Sequence, residues 1–279
     1  MAKQRLDTIL VERQLCESRQ QAQRLIQAGE VKVNQRVIDK PGTEVDVAVE
    51  IEVKARSPYV SRGGEKLAKA LSEFQISVTD RVCLDGGIST GGFTDCLFQS
   101  GARQIYGIDV GYGQVAWKLR QDPRLILRER TNIRHLTPEQ LYGADAVYPD
   151  LGVVDVSFIS LTKVLPALWA LLQSPRELVL LVKPQFEVGR EKIGKKGVVR
   201  NSQDQAGAIW QVWQAAQALG WGYCGLTWSP LLGPAGNIEY LLWLKAPAIQ
   251  PNGQTDQPPV GLDLGAAQTL TAAAQQSLG

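Results

Sequence analysis

The chain has 279 residues, of which 44% are hydrophobic, and its formal net charge is +2. This length allows one good-sized domain and a small one, and the apolar content excludes global disorder. Its four cysteines are far apart and it has one histidine, which excludes most zinc sites and histidine-based catalytic triads, so we expect no bound metal. Reduced thiols, no signal peptide and no apolar run long enough to span a membrane predict a cytoplasmic protein.

Residues 1–56 are predicted to form a small α+β domain. Apolar residues recur at helical spacing around Leu6 and again around Leu25, and an alternating pattern between Val31 and Val53 indicates short strands. Basic residues are concentrated in this domain: Arg5, Arg13, Arg19, Arg24, Lys32, Arg36 and Lys40. A charge run of this kind is either a solvated face or a surface that binds nucleic acid.

Short motifs in this domain favour the second interpretation. The relevant segments are Arg5-Leu6-Asp7, Leu25-Ile26-Gln27-Ala28-Gly29 and Val31-Lys32-Val33-Asn34. They resemble the S4-type RNA-binding module, which is named after a ribosomal protein. The sequence departs from that family at Gln35, where a glycine is usual. The resemblance implies binding of structured RNA by shape and phosphate contact. The expected phosphate contacts are Arg5, Arg19 and Lys32.

Residues 57–63 are expected to link this domain to a second one over residues 64–245. Strand and helix patterns alternate along it, which is typical of an α/β fold with a mostly parallel sheet. The predicted strands are 81–85, 104–109, 124–128, 151–156, 177–183, 221–228 and 237–244. Because no helix separates the final two strands, one of them should be antiparallel, and we expect it to be the last. A sheet of these seven strands is the Rossmann-like fold of S-adenosylmethionine-dependent methyltransferases.

A glycine-rich turn follows the first strand of this domain and leads into a helix. It contains residues expected to bind a cofactor: Asp85, Gly86, Gly87, Ser89, Thr90, Gly91, Gly92 and Phe93. Glycines at such a turn allow backbone N–H groups to approach a ligand closely. The spacing is not the dinucleotide Gly-x-Gly-x-x-Gly, and no Gly-Lys-Ser/Thr follows for a triphosphate. An acid at the strand end instead suits a cationic ligand, such as the sulfonium and amino group of S-adenosylmethionine.

A second acid, Asp109, ends the next strand at about 20 residues from the glycine-rich turn. In doubly wound sheets the acid at this position holds the ribose hydroxyls of a bound nucleoside. NAD would require the same acid, so Asp109 indicates a nucleoside and the turn decides which one. Asn132 and Asp155 complete the expected cofactor-binding set, and S-adenosylmethionine is the expected cofactor.

Four polar residues are expected at the sheet edge where open α/β folds hold their active sites: Lys66, Asp155, Lys183 and Glu239. Two lysines and two carboxylates beside a cofactor suit methylation of a ribose 2′-hydroxyl, which is a poor nucleophile. A lysine can take the hydroxyl proton only when a second lysine or burial lowers the pKa of its amine. Methylation of adenine amino groups usually shows Asn/Asp-Pro-Pro-Tyr/Phe, whereas this chain has Asp155-Val156-Ser157-Phe158.

The order of these four residues matches the Lys-Asp-Lys-Glu tetrad of FtsJ-type RNA 2′-O-methyltransferases. Together with the N-terminal module, residues 1–245 resemble the TlyA family, also called hemolysin A. The resemblance implies that the tetrad catalyses S-adenosylmethionine-dependent 2′-O-methylation of cytidine in ribosomal RNA of the small or large subunit, or of both. The implied partners are ribosomal RNA and ribosomal subunits. One departure is Ile88, because the family usually has alanine there.

The segment from Lys183 to Arg200 is rich in basic residues and glycines. A basic loop with glycine hinges beside an active site should grip RNA phosphates, although it is also compatible with a merely solvated loop. In this domain the expected RNA contacts are Arg62, Arg190, Lys195 and Lys196.

Three other functions are alternatives to ribose methylation. The family's second name suggests a membrane-active hemolysin, for which no secretion signal or long amphipathic basic helix is present. An RNA-binding or ribosome-assembly factor with an inactive methyltransferase domain would not need the intact tetrad. A methyltransferase acting on a base nitrogen or carbon would not need the lysine pair.

Residues 246–279 differ in composition from the rest of the chain. Pro, Gln, Gly and Thr dominate, together with small apolar residues. We expect a disordered tail with a weak helix near residues 266–277.

Overall fold

The computed structural model describes residues 3–53, 57–144, 146–246 and 261–278 of the chain. Contacts divide the protein into two compact units, a small one from Met1 to Arg56 and a large one from Ser57 to Gly279. The small unit has one apolar core, and the large unit has two apolar clusters.

The small unit combines helices with two short antiparallel sheets. Its elements are β1 (Lys3–Arg5), α1 (Leu6–Glu12), α2 (Arg19–Gln27), β2 (Val31–Val33), β3 (Arg36–Val37), β4 (Glu44–Asp46) and β5 (Ile51–Val53). β1 pairs with β4, and β2 lies between β3 and β5. Ser18 caps α2 by accepting a hydrogen bond from the backbone N–H of Gln21. Leu6, Leu10 and Ile26 are fully buried between the helices and the strands, as the helical pattern predicts.

A seven-stranded sheet forms the centre of the large unit. Its strands are β6 (Val82–Gly86), β7 (Gln104–Ile108), β8 (Leu125–Arg128), β9 (Leu151–Val154), β10 (Glu177–Val182), β11 (Gly222–Trp228) and β12 (Tyr240–Lys245). Their order across the sheet is β11-β12-β10-β9-β6-β7-β8. β12 is antiparallel to both of its neighbours, and the pairs from β10 to β8 are parallel. The predicted sheet with an antiparallel last strand is therefore confirmed.

Helices cover both faces of this sheet. They are α3 (Gly63–Glu73), α4 (Gly92–Gln99), α5 (Trp117–Arg120), α6 (Pro138–Leu141), α7 (Leu165–Leu171), α8 (Pro184–Glu187), α9 (Ser202–Gln217) and α10 (Leu264–Leu278). Val153 of β9 packs in one apolar cluster with Leu67 of α3, whereas Val154 packs in the other with Ile209 of α9. Burial of both strand faces is typical of parallel sheets in α/β proteins. Within the described ranges, no helix is both long and apolar enough to cross a membrane.

The register of the parallel strands brings three chain segments together at one edge of the sheet. Val154 of β9 lies opposite Gly86 of β6 on one side and Leu180 of β10 on the other. The chain leaves β6 and β9 immediately after Gly86 and Val154, and leaves β10 after Val182. The residues that follow these strands therefore meet at the carboxyl edge, where open α/β sheets bind ligands.

The weak helix predicted near residues 266–277 is present as α10 (Leu264–Leu278), whereas the prediction that this part of the tail is disordered is wrong. This helix packs on α9 and buries Ala267, Thr271 and Ala274 along one face. The hydroxyl of Thr271 donates a hydrogen bond to the carbonyl of Ser202 at 3.0 Å. Small residues at positions i, i+4 and i+7 allow close helix contact, but they contribute little hydrophobicity, so the sequence pattern was weak. The rest of the predicted disorder, over residues 247–260, lies outside the described residues.

Residues 57–63, expected to be a linker, belong to the large unit, and Gly63 already begins α3. The backbone N–H of Val60 donates to Asp95 Oδ2 at 2.8 Å. The side chain of Gln99 donates to the carbonyl of Pro58 at 3.0 Å. The side chains of Asp95 and Gln99 both belong to α4. Pro58 and the glycines that follow it indicate a loop in the sequence, but they do not indicate that this loop contacts α4.

Candidate active site

The glycine loop between β6 and α4 fits closely against the neighbouring strand end. Gly87 has φ +87° and Gly91 has φ +95°, which side chains of L-residues rarely adopt. A Cβ atom on Gly87 would lie 2.6 Å from the carbonyl oxygen of Asp155. A Cβ atom on Gly92 would overlap the hydroxyl of Ser61. The loop therefore needs glycine at these positions to come as close as it does to β9 and to the segment before α3.

Two cavities meet at this loop. The first has a volume of about 230 Å³, and its walls include Lys66, Thr90 and Phe93. The second has a volume of about 320 Å³, and its walls include Asp109 and Asn132. Both cavities are lined by Gly87, Ser89 and Asp155. The shared residues make one elongated site on the carboxyl edge of the sheet, with an end on either side of Asp155.

Asp109 ties the glycine loop to the end of β7. Its Oδ2 atom accepts the backbone N–H of Ser89 at 2.8 Å, and its Oδ1 atom accepts that of Gly111 at 2.6 Å. A carboxylate has about four acceptor positions, so two backbone bonds leave capacity for ribose hydroxyls. The structure thus brings Asp109 and Asn132 to the wall of the same cavity.

Asp85 lies beneath the loop rather than on either cavity wall. It is 0% exposed, and its Oδ2 atom accepts the hydroxyl of Thr94 at 2.7 Å. Its Oδ1 atom is buried without a hydrogen-bond partner among the described residues. Burial raises the pKa of Asp85 to about 7. A buried carboxyl with a free oxygen needs a further partner, and a cationic ligand in the adjoining cavity would favour its charged form.

The four predicted tetrad residues form two lysine–carboxylate pairs at the same edge. Lys66 Nζ lies 2.5 Å from Glu239 Oε2, and Lys183 Nζ lies 2.6 Å from Asp155 Oδ1. Lys183 Nζ also donates to the hydroxyl of Ser157 at 2.8 Å. Both lysines are more than nine-tenths buried. Lys66 and Asp155 line the first cavity, whereas Lys183 and Glu239 line neither cavity and lie directly behind them in the two pairs.

Local structure explains how these side chains converge. Asp155 follows the last residue of β9, and Lys183 follows that of the parallel neighbour β10. Lys66 lies in the first turns of α3, and Glu239 precedes β12 rather than lying within it. Glu239 has room because Gly233 faces it, and a Cβ atom there would lie 2.5 Å from Glu239 Oε1.

A buried amide network anchors the basic loop to the segment that carries Glu239. Asn237 is 1% exposed, and its side chain accepts the backbone N–H of Val199 at 2.9 Å and donates to the carbonyl of Gly197 at 2.8 Å. The amide of Gln205 donates to the carbonyl of Val199 at 2.7 Å. Sequence reasoning missed Asn237 and Gln205, because single amides carry no pattern. The predicted contacts in this loop and before α3, namely Arg62, Arg190, Lys195 and Lys196, are all exposed.

A second basic surface adjoins the second cavity, and sequence reasoning missed it. A concavity of about 510 Å³ is lined by Arg128, Arg130 and His135, and it shares Asn132 with the second cavity. The guanidinium of Arg130 stacks on the exposed ring of Tyr112 at 4.3 Å from its centroid. The available signal was the run Arg128-Glu129-Arg130, with Arg134 and His135 a few residues later.

One aromatic side chain at the site is almost fully exposed. Phe158 is 91% exposed, and its backbone has φ +65°, which is uncommon for a bulky residue. Its ring lies 5.3 Å from that of Phe186, centroid to centroid, and Phe158 lines the second cavity. A strained, exposed aromatic residue beside a polar site is a candidate stacking partner for a ligand.

Comparison with known families defines the class of protein to which this fold and site belong. Residues 59–246 match the FtsJ-like methyltransferases, and residues 4–51 match the S4 domain. The large unit is therefore a methyltransferase domain of the FtsJ type, and the small unit is an S4 domain.

Individual relatives narrow the class further. The 16S/23S rRNA (cytidine-2′-O)-methyltransferase TlyA of Mycobacterium tuberculosis is 49% identical over 243 residues, which cover 86% of this chain and 89% of that protein. Hemolysin A of Brachyspira hyodysenteriae is 40% identical over a region that covers 85% of this chain and 98% of that protein. A solved hemolysin structure from Streptococcus thermophilus is 40% identical with a TM-score of 0.74, covering 99% of this chain and 97% of that one. This chain belongs to the TlyA family.

Proposed function

We propose that this protein transfers a methyl group from S-adenosylmethionine to the 2′-hydroxyl of a cytidine in ribosomal RNA. The observation that carries the proposal is the pair of buried lysine–carboxylate contacts beside the glycine loop. The M. tuberculosis relative is named for this activity on both ribosomal RNAs. Since ribosomes are cytoplasmic, we place the protein in the cytoplasm with ribosomal subunits as its partners.

The residues at this site suit S-adenosylmethionine, which supplies a methyl group bound to a positively charged sulfur. Asp109 and Asn132 would hold the nucleoside end in the second cavity. The loop residues Gly87 and Ser89 would lie against the middle of the ligand, since they line both cavities. Asp85 would contribute negative charge from beneath the loop, because one of its oxygens has no partner among the described residues.

Lys183 is our candidate to receive the proton of the 2′-hydroxyl. A neutral amine has two hydrogens and one lone pair, and Nζ contacts Asp155 Oδ1 and Ser157 Oγ. The hydrogen bond to Ser157 uses one hydrogen, and Asp155 Oδ1 lies within ion-pairing distance without hydrogen-bond geometry, so the lone pair can be turned toward the substrate. Lys183 also follows a buried strand and is held rigidly, whereas Lys66 projects from a helix and is held by Glu239. We therefore assign Lys66 the task of orienting the ribose.

Exposed basic and aromatic residues around the site would hold the RNA. Arg190, Lys195 and Lys196 lie in the basic loop, and Arg62 lines the first cavity. Arg128 and Arg130 flank the other side, so phosphates could be bound on both sides of the target nucleotide. Sequence-specific recognition of RNA generally uses unstacked bases on aromatic side chains, and Phe158 and Tyr112 offer such rings. In the S4 domain, Arg5, Arg19 and Lys32 remain our proposed phosphate contacts.

The proposal can be tested with purified protein, ribosomal subunits lacking the modification, and S-adenosylmethionine labelled with deuterium in its methyl group. The RNA is digested to nucleosides and analysed by mass spectrometry. We expect labelled 2′-O-methylcytidine. Label in a base-methylated nucleoside would refute ribose methylation, and RNA binding without any label would indicate an assembly factor.

A further inference from the structure

One side chain of the S4 domain organises two of its arginines. Asp7 is 0% exposed, although it lies in the first turn of α1. Its carboxylate accepts Nε of Arg5 at 3.0 Å and Nη2 of Arg5 at 2.9 Å. It also accepts Nε of Arg19 at 3.1 Å and the amide of Gln23 at 3.0 Å. A single buried charge thus holds side chains from β1 and from two turns of α2.

The two arginines are held at one end and remain open at the other. Their side chains are 47% and 55% exposed for Arg5 and Arg19 respectively. Arg5 uses Nε and Nη2 toward Asp7, so Nη1 remains, and Arg19 uses only Nε, so both of its Nη groups remain. In the described part of the chain no second carboxylate lies within ion-pairing distance of either guanidinium.

Gly42 adds a wall to this arrangement. A Cβ atom on Gly42 would lie 3.2 Å from Nη1 of Arg5, so the guanidinium rests against the backbone of the turn before β4. The hydrogen bond from Arg5, with those from Gln23 and Arg19, holds the pKa of Asp7 well below its usual range against the opposing effect of burial. Asp7 is therefore a permanent anion, and its two arginines carry one net positive charge more than it neutralises.

We propose that Asp7 is a positioning residue, which holds Arg5 and Arg19 as a preorganised two-arginine site for an RNA phosphate. The inference rests on the proposed function, since it takes RNA as the ligand. Arginine loses much side-chain entropy when it is fixed at an interface, and a buried anchor removes that cost before binding. The planar guanidinium groups then present their free N–H groups together, as phosphate oxygens require.

Removal of the Asp7 charge distinguishes this role from simple electrostatics. The substitution Asp7→Asn makes the domain more positive, so an unpositioned basic surface would bind RNA equally well or more tightly. Loss of positioning would instead weaken binding despite the added positive charge. The two explanations thus differ in the sign of the effect.

The experiment measures binding of full-length protein to purified 16S and 23S ribosomal RNA over a series of salt concentrations. We expect Asp7→Asn to weaken binding about tenfold and to flatten the salt dependence by about one unit of slope. The matched control is Asp39→Asn, an exposed acid of the same domain, which should bind as tightly as the parent or more so. Affinity for S-adenosylmethionine should be unchanged in both variants.

A second pair of variants keeps the test decisive if Asp7→Asn folds poorly. Arg5→Lys and Arg19→Lys retain the charge but cannot make the same forked contacts, so each should weaken RNA binding severalfold. Arg24→Lys, an exposed residue of the same helix, is the control and should have no effect. Equal or tighter RNA binding by folded Asp7→Asn, or parental binding by both lysine variants, would overturn the inference while leaving the proposed function intact. Failure of the parent protein to bind either RNA would instead overturn RNA as the ligand, and both proposals with it.

Discussion

Among the residues that the structure describes, each unit buries one aspartate completely, Asp7 in one and Asp85 in the other, and the two residues differ in their partners. Asp7 of the S4 domain accepts hydrogen bonds from two arginines and a glutamine, and these hold its pKa well below the usual range. Asp85 of the methyltransferase domain accepts one side-chain hydrogen bond, from Thr94, and keeps one oxygen without a partner among the described residues. Burial raises the pKa of Asp85 to about 7.

We infer from this difference that the Asp7 site is complete in the protein alone, whereas Asp85 has an acceptor open to a further partner. A buried polar group without a partner destabilises a fold, so it persists where a ligand or a reaction needs it. Asp7 stabilises and orients its neighbours without any ligand. Asp85 costs stability until a positive charge comes near, which places the ligand-dependent chemistry in the large unit.

The largest effect should come from Lys183, because the proposed chemistry lies entirely in the large unit. Lys183→Ala should lower the rate of methyl transfer by about 10²–10⁴-fold, the usual contribution of a general base. Binding of RNA and cofactor should survive. Lys183→Arg should not restore the rate, since a guanidinium stays protonated near neutral pH and cannot act as a base. Single-turnover methylation of ribosomal RNA measures this, with the exposed Lys163→Ala as the control. A near-parental rate for Lys183→Arg would show that Lys183 acts only as a fixed charge.

A smaller but still large effect should follow from the charge of Asp85. Asp85→Asn should weaken binding of S-adenosylmethionine at pH 8 by about thirtyfold or more, because a buried charge loses its counterpart. In the parent protein the affinity should fall by up to about tenfold per pH unit below the pKa of about 7, as Asp85 takes up a proton. Calorimetric titration between pH 5 and pH 8 tests both expectations, with pH values chosen on either side of about 7. If the affinity of the parent for S-adenosylmethionine varied with pH as little as that of Asp85→Asn, the charge of Asp85 would not contribute to cofactor binding.

The same substitution in the two units should change stability in opposite directions. The folded-state pKa of Asp85 is raised from 3.8 to about 7, so the ligand-free protein loses stability as pH rises through that interval. Asp85→Asn should therefore stabilise it at pH 8, by at most about 4 kcal/mol.

For Asp7 the effect of pH on stability has the opposite sign. Its folded-state pKa is lowered, so its contribution is present above the unfolded-state value and is lost only as the pH falls through the acid range. Asp7→Asn should destabilise the S4 domain by about 2–3 kcal/mol near neutral pH, because it removes charge-assisted hydrogen bonds. Thermal unfolding of both variants without ligand measures the two signs. A stability change of the same sign in both variants would contradict the difference inferred between Asp7 and Asp85.

The smallest of these effects concerns the exposed ring of Phe158. If it stacks on a base, Phe158→Ala should weaken RNA binding by about 1 kcal/mol, the lower end of the usual stacking contribution, and Phe158→Tyr should restore most of the loss. Stability should change little, because the ring is 91% exposed. Filter binding with ribosomal RNA gives the affinity, and parental binding by Phe158→Ala would exclude the stacking role.

Much of the methyltransferase site could be predicted from the sequence because strand ends determine it. The glycine loop, Asp109, Asp155 and Lys183 all follow runs of strand residues that share one sheet edge. The antiparallel last strand could be predicted from the missing helix before it.

Residues whose roles depend on packing could not be predicted in this way. Asn237 connects two loops that are far apart in sequence, and Thr94 is a helix residue that meets Asp85 only in the fold. Asp7 has the pattern of an ordinary acid in the first turn of a helix, which interacts favourably with the helix dipole. Its two arginine partners become visible only when β1 and α2 meet. The small residues of α10 gave too weak an apolar pattern to predict a packed helix.

The most direct test of ribose methylation is a map of 2′-O-methyl groups in ribosomal RNA from cells with and without the gene. Complementation with the parent protein and with Lys183→Ala completes the experiment. We expect at least one cytidine to lose its 2′-O-methyl group without the gene, to regain it with the parent, and to remain unmodified with Lys183→Ala. Identical maps with and without the gene, or a lost modification on a base, would contradict the proposed function.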